Sequence, residues 1–226
     1  MRQINQRGIA IGPILYIVAI LAVLVSAIAA GSGSFSGDTS AISAKAQASA
    51  ILEYANEVKF AVDRVLGKGC TNTEISFENP IVSGYTNPNA PSDKSCHVFD
   101  VNGGGIIFKK EQENWIDSAQ DGEYQGFTFG SGNFVNDLGT TNRELIVRFY
   151  NLKNDICKQI NKMADINDIP NNGTSFAHAG AFSGTYFDSG GGSISVLDMK
   201  GHLFGCFRSL TSGHNYNVFY FVLIVR

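Results

Sequence analysis

The sequence predicts an α+β protein: a long N-terminal helix, half transmembrane and half amphipathic, packed on an antiparallel β-sheet head that carries one further helix. Three observations predict it. Residues 9–30 form an uncharged apolar run. An apolar stripe at helical spacing follows over residues 40–66. The C-terminal part then offers short apolar and aromatic runs broken by Gly, Ser and Asn, the pattern of strands joined by turns. These divide the chain into a basic leader (1–8), a transmembrane helix (9–30), a Gly/Ser hinge (31–39), an amphipathic helix (40–66) and a globular head (67–226). The head is long enough to bury a core without a metal.

The apolar run from Ile9 to Ala30 comes first. At about 1.5 Å rise per residue it reaches roughly 33 Å, matching a hydrocarbon core of about 30 Å. Arg2 and Arg7 precede it and no cationic residue follows before Lys45. Positive charge stays on the cytoplasmic side, which keeps residues 1–8 inside and sends the head out. The run admits three uses. Ala27-Ile28-Ala29 ahead of Gly31 and Ser32 suits a secretory cleavage site. An intact run would serve as a signal anchor. The third use is cleavage on the cytoplasmic side, after Gly8.

That third use carries a family resemblance. A short basic leader ending at Arg7-Gly8, with Ile9 as the new first residue, places Val18-Ala19-Ile20 at mature positions ten to twelve. Leu21, Val23 and Leu24 continue the pattern. This resembles the class III signal of type IV pilin-like and pseudopilin-like proteins over some twenty residues. The resemblance implies processing between Gly8 and Ile9 by a prepilin peptidase. It also implies an assembly helix including Pro13, Val18, Ala19, Ile20, Ala22 and Ser26, and partners that are other pilin-like subunits, the assembly machinery and the bilayer. Small residues such as Ala19, Ala22, Ser26 and Ala27 are those that let helices approach in lipid. One position departs from the family. Its members carry Glu at mature position five, where this chain has Pro13, so the likeness is to a minor or atypical subunit. Pro13 sits in the first turns, where a missing N–H costs little.

The hinge reads Gly-Ser-Gly-Ser-Phe-Ser-Gly over 31–37, a flexible composition. Asp38, Thr39 or Ser40 then offers an N-cap. Ala44, Ala48, Ile51, Ala55, Val58, Val62 and Val65 form one stripe at alternating spacings of four and three. Lys45, Glu53, Glu57, Asp63 and Arg64 fall largely outside it, and Gly67 is the expected stop. A helix in membrane followed by an amphipathic one is the pilin-like layout; a stalk helix covering a sheet is its plain counterpart.

Within the head, Glu74–Phe77, His97–Val101 and Ile106–Lys109 are expected as strands. The last two would form a hairpin about Asn102-Gly103-Gly104-Gly105. Residues 79–95, rich in Pro, Asn and Ser, read as a surface loop, and Phe127–Phe129 as a strand. Thr141-Asn142-Arg143-Glu144 fits a capping box. The stripe Leu145, Phe149, Leu152, Ile156, Ile160 and Met163 then predicts a helix ending before Pro170. Three strands, 193–199, 202–210 and 216–225, are expected to close the chain as an antiparallel meander. The last is apolar enough to be central.

Four cysteines, Cys70, Cys96, Cys157 and Cys206, lie behind the export segment and read as two disulfides of an oxidising compartment. Three pairings are possible. The loop-rich setting shared by Cys70 and Cys96 favours Cys70–Cys96 with Cys157–Cys206. The competing use is a zinc site from Cys96, His97, His202 and Cys206, which no C-x-x-C pair supports.

Enzymatic motifs are absent: there is no G-x-S-x-G, H-E-x-x-H, P-loop or G-x-G-x-x-G. With 16% charged residues, a net charge of −3 and no basic run, nucleic acid is not an expected partner. His97, His178, His202 and His214 are scattered and read as surface or turn residues. Asp117 with Asp121, and Asp188 before a Gly run, are oxygen-rich without the calcium-loop pattern. Asn172-Gly173-Thr174 is a glycosylation sequon that equally suits a turn. Trp115 reads either as an exposed anchor or as a plug under the sheet. No cofactor and no catalytic residue are expected. The expected protein is a single-pass inner-membrane subunit of a type IV pilus-like or type II secretion-like filament, its N-terminus cytoplasmic and its head periplasmic. A tethered or secreted periplasmic binding or scaffold domain is the alternative.

Overall fold

The structure is a computed structural model and describes residues 35–120, 126–173, 176, 180–186, 192–210 and 215–226. The chain divides into two compact units, Met1–Ser43 and Ala44–Arg226. Helix α1 spans Phe35–Gly67. Phe35–Thr39, expected within the hinge, are therefore helical. No Pro interrupts this stretch, and a single Gly37 costs a helix only about 1 kcal/mol. In the head unit, the seven residues of the expected stripe, Ala44 to Val65, are each no more than 2% exposed, and Tyr54 and Ala61 widen the buried face.

The stop of α1 lies two residues beyond the expected Gly67. Gly69, at φ +98°, occupies the left-handed position. Its N–H donates to the Leu66 carbonyl (2.9 Å), and the Cys70 N–H donates to that of Val65 (3.2 Å). This is the paired closure that satisfies the last carbonyls of a helix. Cys70 follows at once and is bonded to Cys96.

The head is built on a five-stranded mixed sheet of order β1-β3-β7-β6-β4. Its strands are β1 (Gly126–Gly130), β3 (Leu145–Tyr150), β4 (Asn171–Gly173), β6 (Phe204–Ser209) and β7 (Tyr216–Ile224). Four run antiparallel in sequence across the sheet, and β4 lies parallel to β6. A separate parallel pair joins β2 (Asn133–Val135) to β5 (Gly192–Ile194). The expected meander is thus corrected. The run 193–199 leaves the main sheet, giving the short β5 and a 3-10 turn over Leu197–Met199. The two later runs pair as β6 and β7, and β7 is central as its composition requires.

Alternation along β7 divides the core. Phe219, Phe221 and Leu223 face α1 together with Phe127, Phe129, Val147 and Phe149. Tyr216, Val218, Tyr220 and Val222 face the opposite way, with Ile146, Tyr150 and Phe207. Ring contacts tie the helix side together: Tyr54 meets Phe127 edge-on at 4.8 Å and Phe77 stacks on Phe129 at 4.5 Å.

The largest correction is the second helix. Leu145–Tyr150 is strand β3, and only Asn154–Met163 forms helix α2. The run Leu-Ile-Val-Arg-Phe-Tyr is dominated by β-branched and aromatic residues and is buried on both faces, so no polar side marks a period of two. Glu144 does not cap a helix; its Oε2 accepts the Val135 N–H at 3.0 Å. The expected hairpin over 97–109 does not form either. The only strand-like pairing there is a single Ser76–His97 bridge. The glycine turn instead folds back on residues 97–98. The Gly104 N–H donates to the His97 carbonyl (2.8 Å), and a Cβ at Gly103 or Gly104 would overlap the backbone of His97 or Val98.

Helix α2 docks by a covalent and a polar tie to the same residue. Cys157 is bonded to Cys206 of β6. Beside it the Asn161 side chain donates to the Cys206 carbonyl (2.7 Å) and accepts its N–H (2.7 Å). One amide thus takes the place of a strand partner on the outer edge of β6.

Candidate functional site: a stapled polar pocket on the head

Both favoured disulfides are present, Cys70–Cys96 and Cys157–Cys206, which removes the zinc site that needed Cys96 and Cys206 as thiolates. Among the described residues no group of three His, Cys, Asp or Glu side chains could hold a metal. Asp117 is committed to its own turn, accepting from the Ala119 N–H (3.1 Å) and the Gln120 side chain (3.1 Å). Asn172 of the sequon is buried, donating to the Ser193 carbonyl and accepting the Ser195 N–H. Trp115 is a plug: it is 6% exposed and packs near Phe127 and Phe149. The aromatic residues of β7 are core. The expected processing residues Gly8 and Ile9, and the assembly-helix residues Pro13, Val18, Ala19, Ile20, Ala22 and Ser26, lie outside the described residues, as do Asp121, His178, Asp188 and His214. Among the described residues no helix is long and apolar enough to cross a membrane.

The Cys70–Cys96 bond organises a polar pocket that no motif announces. It ties the end of α1 to the segment carrying His97. The next residues are fixed by backbone bonds, Ser76 N–H to the Cys96 carbonyl (3.0 Å) and Val98 N–H to the Ser76 carbonyl (2.9 Å). The glycine turn after them is held by two cations from the end of α1. Arg64 donates to the Gly104 carbonyl (2.9 Å), and Lys68 to those of Asn102 (2.7 Å) and Gly103 (2.8 Å). His97 is thereby set in a rigid frame built from three distant stretches of chain.

The result is a cavity of about 330 Å³ whose polar lining includes Glu78, Lys94, His97 and Asp100, with Phe99 and Pro80 as its apolar part. His97 is only 8% exposed, and burial holds its imidazole below the usual histidine range, so it is neutral near pH 7. Among the described residues its ring takes part in no side-chain hydrogen bond or ion pair. Lys94 stands at φ +62°, in the left-handed region. Its ammonium lies 3.8 Å from Asp100 Oδ2, while Asp100 Oδ1 accepts the Asn102 N–H (3.0 Å). Asn79 also lines the pocket, but its amide is spent on the loop itself, accepting from Ile81 and Val82 and donating to Phe77.

The opposite face of the sheet holds other buried polar groups. Glu144 is fully buried, and burial pushes its carboxyl up to about 7. Arg148 is 1% exposed on the same side, accommodated because Gly130 has no Cβ. A smaller cavity of about 140 Å³ lies near it, lined by Tyr85, Thr128, Tyr150 and Ala181 among others. No known protein family, curated protein or solved structure matches this chain.

Proposed function

We propose that the chain is an atypical, minor subunit of a type IV pilus-like or type II secretion-like filament. It would be processed between Gly8 and Ile9, anchored in the inner membrane by residues 9–30, and assembled through that same helix with its head outside the cytoplasm. The observation that carries this reading is the use of the α1 stripe. Ala44 to Val65 is consumed by the protein's own sheet. The stripe is thus unavailable to a bilayer, and we assign that role, and the contacts with helices of other subunits, to the uncharged apolar run 9–30 of the sequence. Two disulfides with no free cysteine agree with an oxidising compartment. In this reading the head is a non-enzymatic body, and loop 79–95 with the stretch 111–120 ahead of β1 sets its surface contacts, since β1 and β2 lie in the remainder of the loop expected over 111–140.

The test is intact-mass measurement and N-terminal sequencing of the protein from membranes of its native host. A mature chain starting at Ile9, with an N-methyl group, is the expected result. A start at Ala30 or Gly31, or a retained Met1, overturns the filament reading and leaves a tethered or secreted periplasmic binding or scaffold domain.

A further inference from the structure

The His97 pocket has features that core packing does not require. His97 is 8% exposed as a residue, and its ring nitrogens are not among the buried unpartnered atoms, so what remains accessible of the ring opens toward solvent. The ring makes no side-chain hydrogen bond among the described residues and lines an open cavity, which leaves its nitrogens accessible to a ligand there. The Glu78 carboxylate at the same cavity is exposed and likewise makes no side-chain bond. Lys94 at the rim, at φ +62°, closes a turn in which its N–H donates to the Pro91 carbonyl (3.1 Å), which fixes where its side chain leaves the loop. The frame beneath is rigid on three sides: the Cys70–Cys96 bond, the Ser76 pairing and the Gly104 N–H on the His97 carbonyl. Rigidity of this kind lowers the ordering cost of binding.

The chemistry of the lining narrows the ligand. Two carboxylates against one ammonium leave the pocket slightly negative, which disfavours anions. No three potential metal ligands come together among the described residues, which disfavours a coordinated ion. A purely apolar ligand would bury Glu78 and His97 without partners. Neutral hydroxyl groups satisfy all of them. Each hydroxyl donates to a carboxylate oxygen, and a neutral imidazole donates through one nitrogen and accepts through the other. The Lys94 ammonium adds further donors. Phe99, backed by Phe108 at 5.3 Å and Phe129 at 5.5 Å, supplies an apolar surface for the C–H face of a ring. The cavity, about 330 Å³, is at the small end of ligand sites and suits a single ring or two.

We infer that this pocket is a binding subsite for a neutral saccharide unit, with Glu78, His97 and Asp100 as the hydroxyl-recognising groups and Phe99 as the apolar platform. The subsite does not depend on the filament reading, since a tethered domain would carry it equally well.

The experiment is a titration of the full-length chain in detergent micelles, with histidine labelled at ¹³Cε1 and the His97 signal assigned by its loss in His97→Asn. The probes are the methyl glycosides of glucose, galactose, mannose and N-acetylglucosamine. The expected result is a saturable shift of the His97 signal with at least one glycoside, and at least a tenfold loss of affinity in Glu78→Ala. Glu78 is exposed and holds nothing in the fold by its side chain, so that variant keeps its structure even if His97→Asn does not. No shift with any of the four glycosides overturns the inference, as does binding that Glu78→Ala leaves unchanged. A His97 shift produced only by zinc chloride or by choline also overturns it and makes the pocket a cation site.

Discussion

The two faces of the central sheet are covered by different kinds of structure, and they are filled accordingly. The face under α1 is mostly apolar: Phe127 meets Tyr54 of the helix, Phe129 is enclosed by Phe77, Tyr85, Phe99 and Phe108, and Val147, Phe149, Phe219 and Phe221 share a cluster with the Ala, Val and Ile stripe of the helix. The opposite face is covered mainly by irregular chain and short strands, and polar groups are buried there, including Glu144 and Arg148. A helix satisfies its own backbone, so the face it presents can be wholly apolar. Irregular chain brings unpaired N–H and C=O groups into the core and needs polar side chains to meet them. Glu144 shows this, since its Oε2 takes the Val135 N–H that no strand partner receives, while its Oε1 has no partner. The helix-covered face, which holds the larger apolar cluster, is expected to carry more of the stability than the other.

The sharpest way to break this contrast is to open the helix-covered face. Phe129 is fully buried and in ring contact with Phe77, Tyr85 and Phe99. Phe129→Ala is expected to cost about 3–5 kcal/mol, measured by urea unfolding followed through tryptophan fluorescence. A loss below about 1 kcal/mol would show that the helix side is not the main core. Next comes the covalent tie of α2. Replacing both Cys157 and Cys206 by Ser opens a crosslink between residues 49 apart and is expected to cost about 2–4 kcal/mol. Because the Asn161 side chain holds the same backbone, the native fold should persist, with early amide exchange confined to α2 and the outer edge of β6.

The smallest effect sharpens the contrast from the other side. Glu144 is protonated in both states below about pH 4.5, and there its burial carries no charge penalty. As pH rises toward 7 the unfolded chain ionises first, so the folded state loses stability through this window and levels off above it. Glu144→Gln keeps an acceptor for the Val135 N–H and removes the charge. It is expected to stabilise the protein by about 1–3 kcal/mol at pH 8 and by almost nothing at pH 4. Unfolding of both forms at the two pH values checks this, and an equal effect at both would mean that the carboxyl never ionises in place.

Legibility followed the same divide. The stripe of α1 could be read because one face is apolar and the other is solvated, so a single period fits it. The central position of β7 could be read because nothing polar interrupts Val218–Leu223. β3 could not, because Leu145, Phe149, Leu152 and Ile156 satisfy helical spacing while both faces of the strand are buried; only the β-branched and aromatic content pointed to extended chain. The favoured cysteine pairing followed from proximity along the chain. The Asn161 tie could not be foreseen, since one amide in a helix says nothing about which carbonyl it meets. The His97 pocket was illegible for a related reason. Glu78, Lys94, His97 and Asp100 come together only once a disulfide and a glycine turn have closed the loops, and an isolated histidine in a loop reads as a surface residue. The glycines themselves were the available signal, because three in a row, Gly103 to Gly105, mark a close approach of backbones as readily as a hairpin.

The junction at the end of α1 has a mechanical consequence. Force applied from the N-terminal side runs along the helix axis, so the stripe from Ala44 to Val65 is loaded in shear, with its contacts resisting together. Beyond the helix the tension passes through Gly69 into Cys70 and across the sulfur bridge to Cys96. The intervening residues, 26 apart in sequence, are bypassed, which locks away about 90 Å of extensible contour. Glu78, Asn79, Pro80 and Lys94 of the His97 pocket thus lie in a slack segment off the load path, whereas His97, Phe99 and Asp100 follow the bridge and carry the tension.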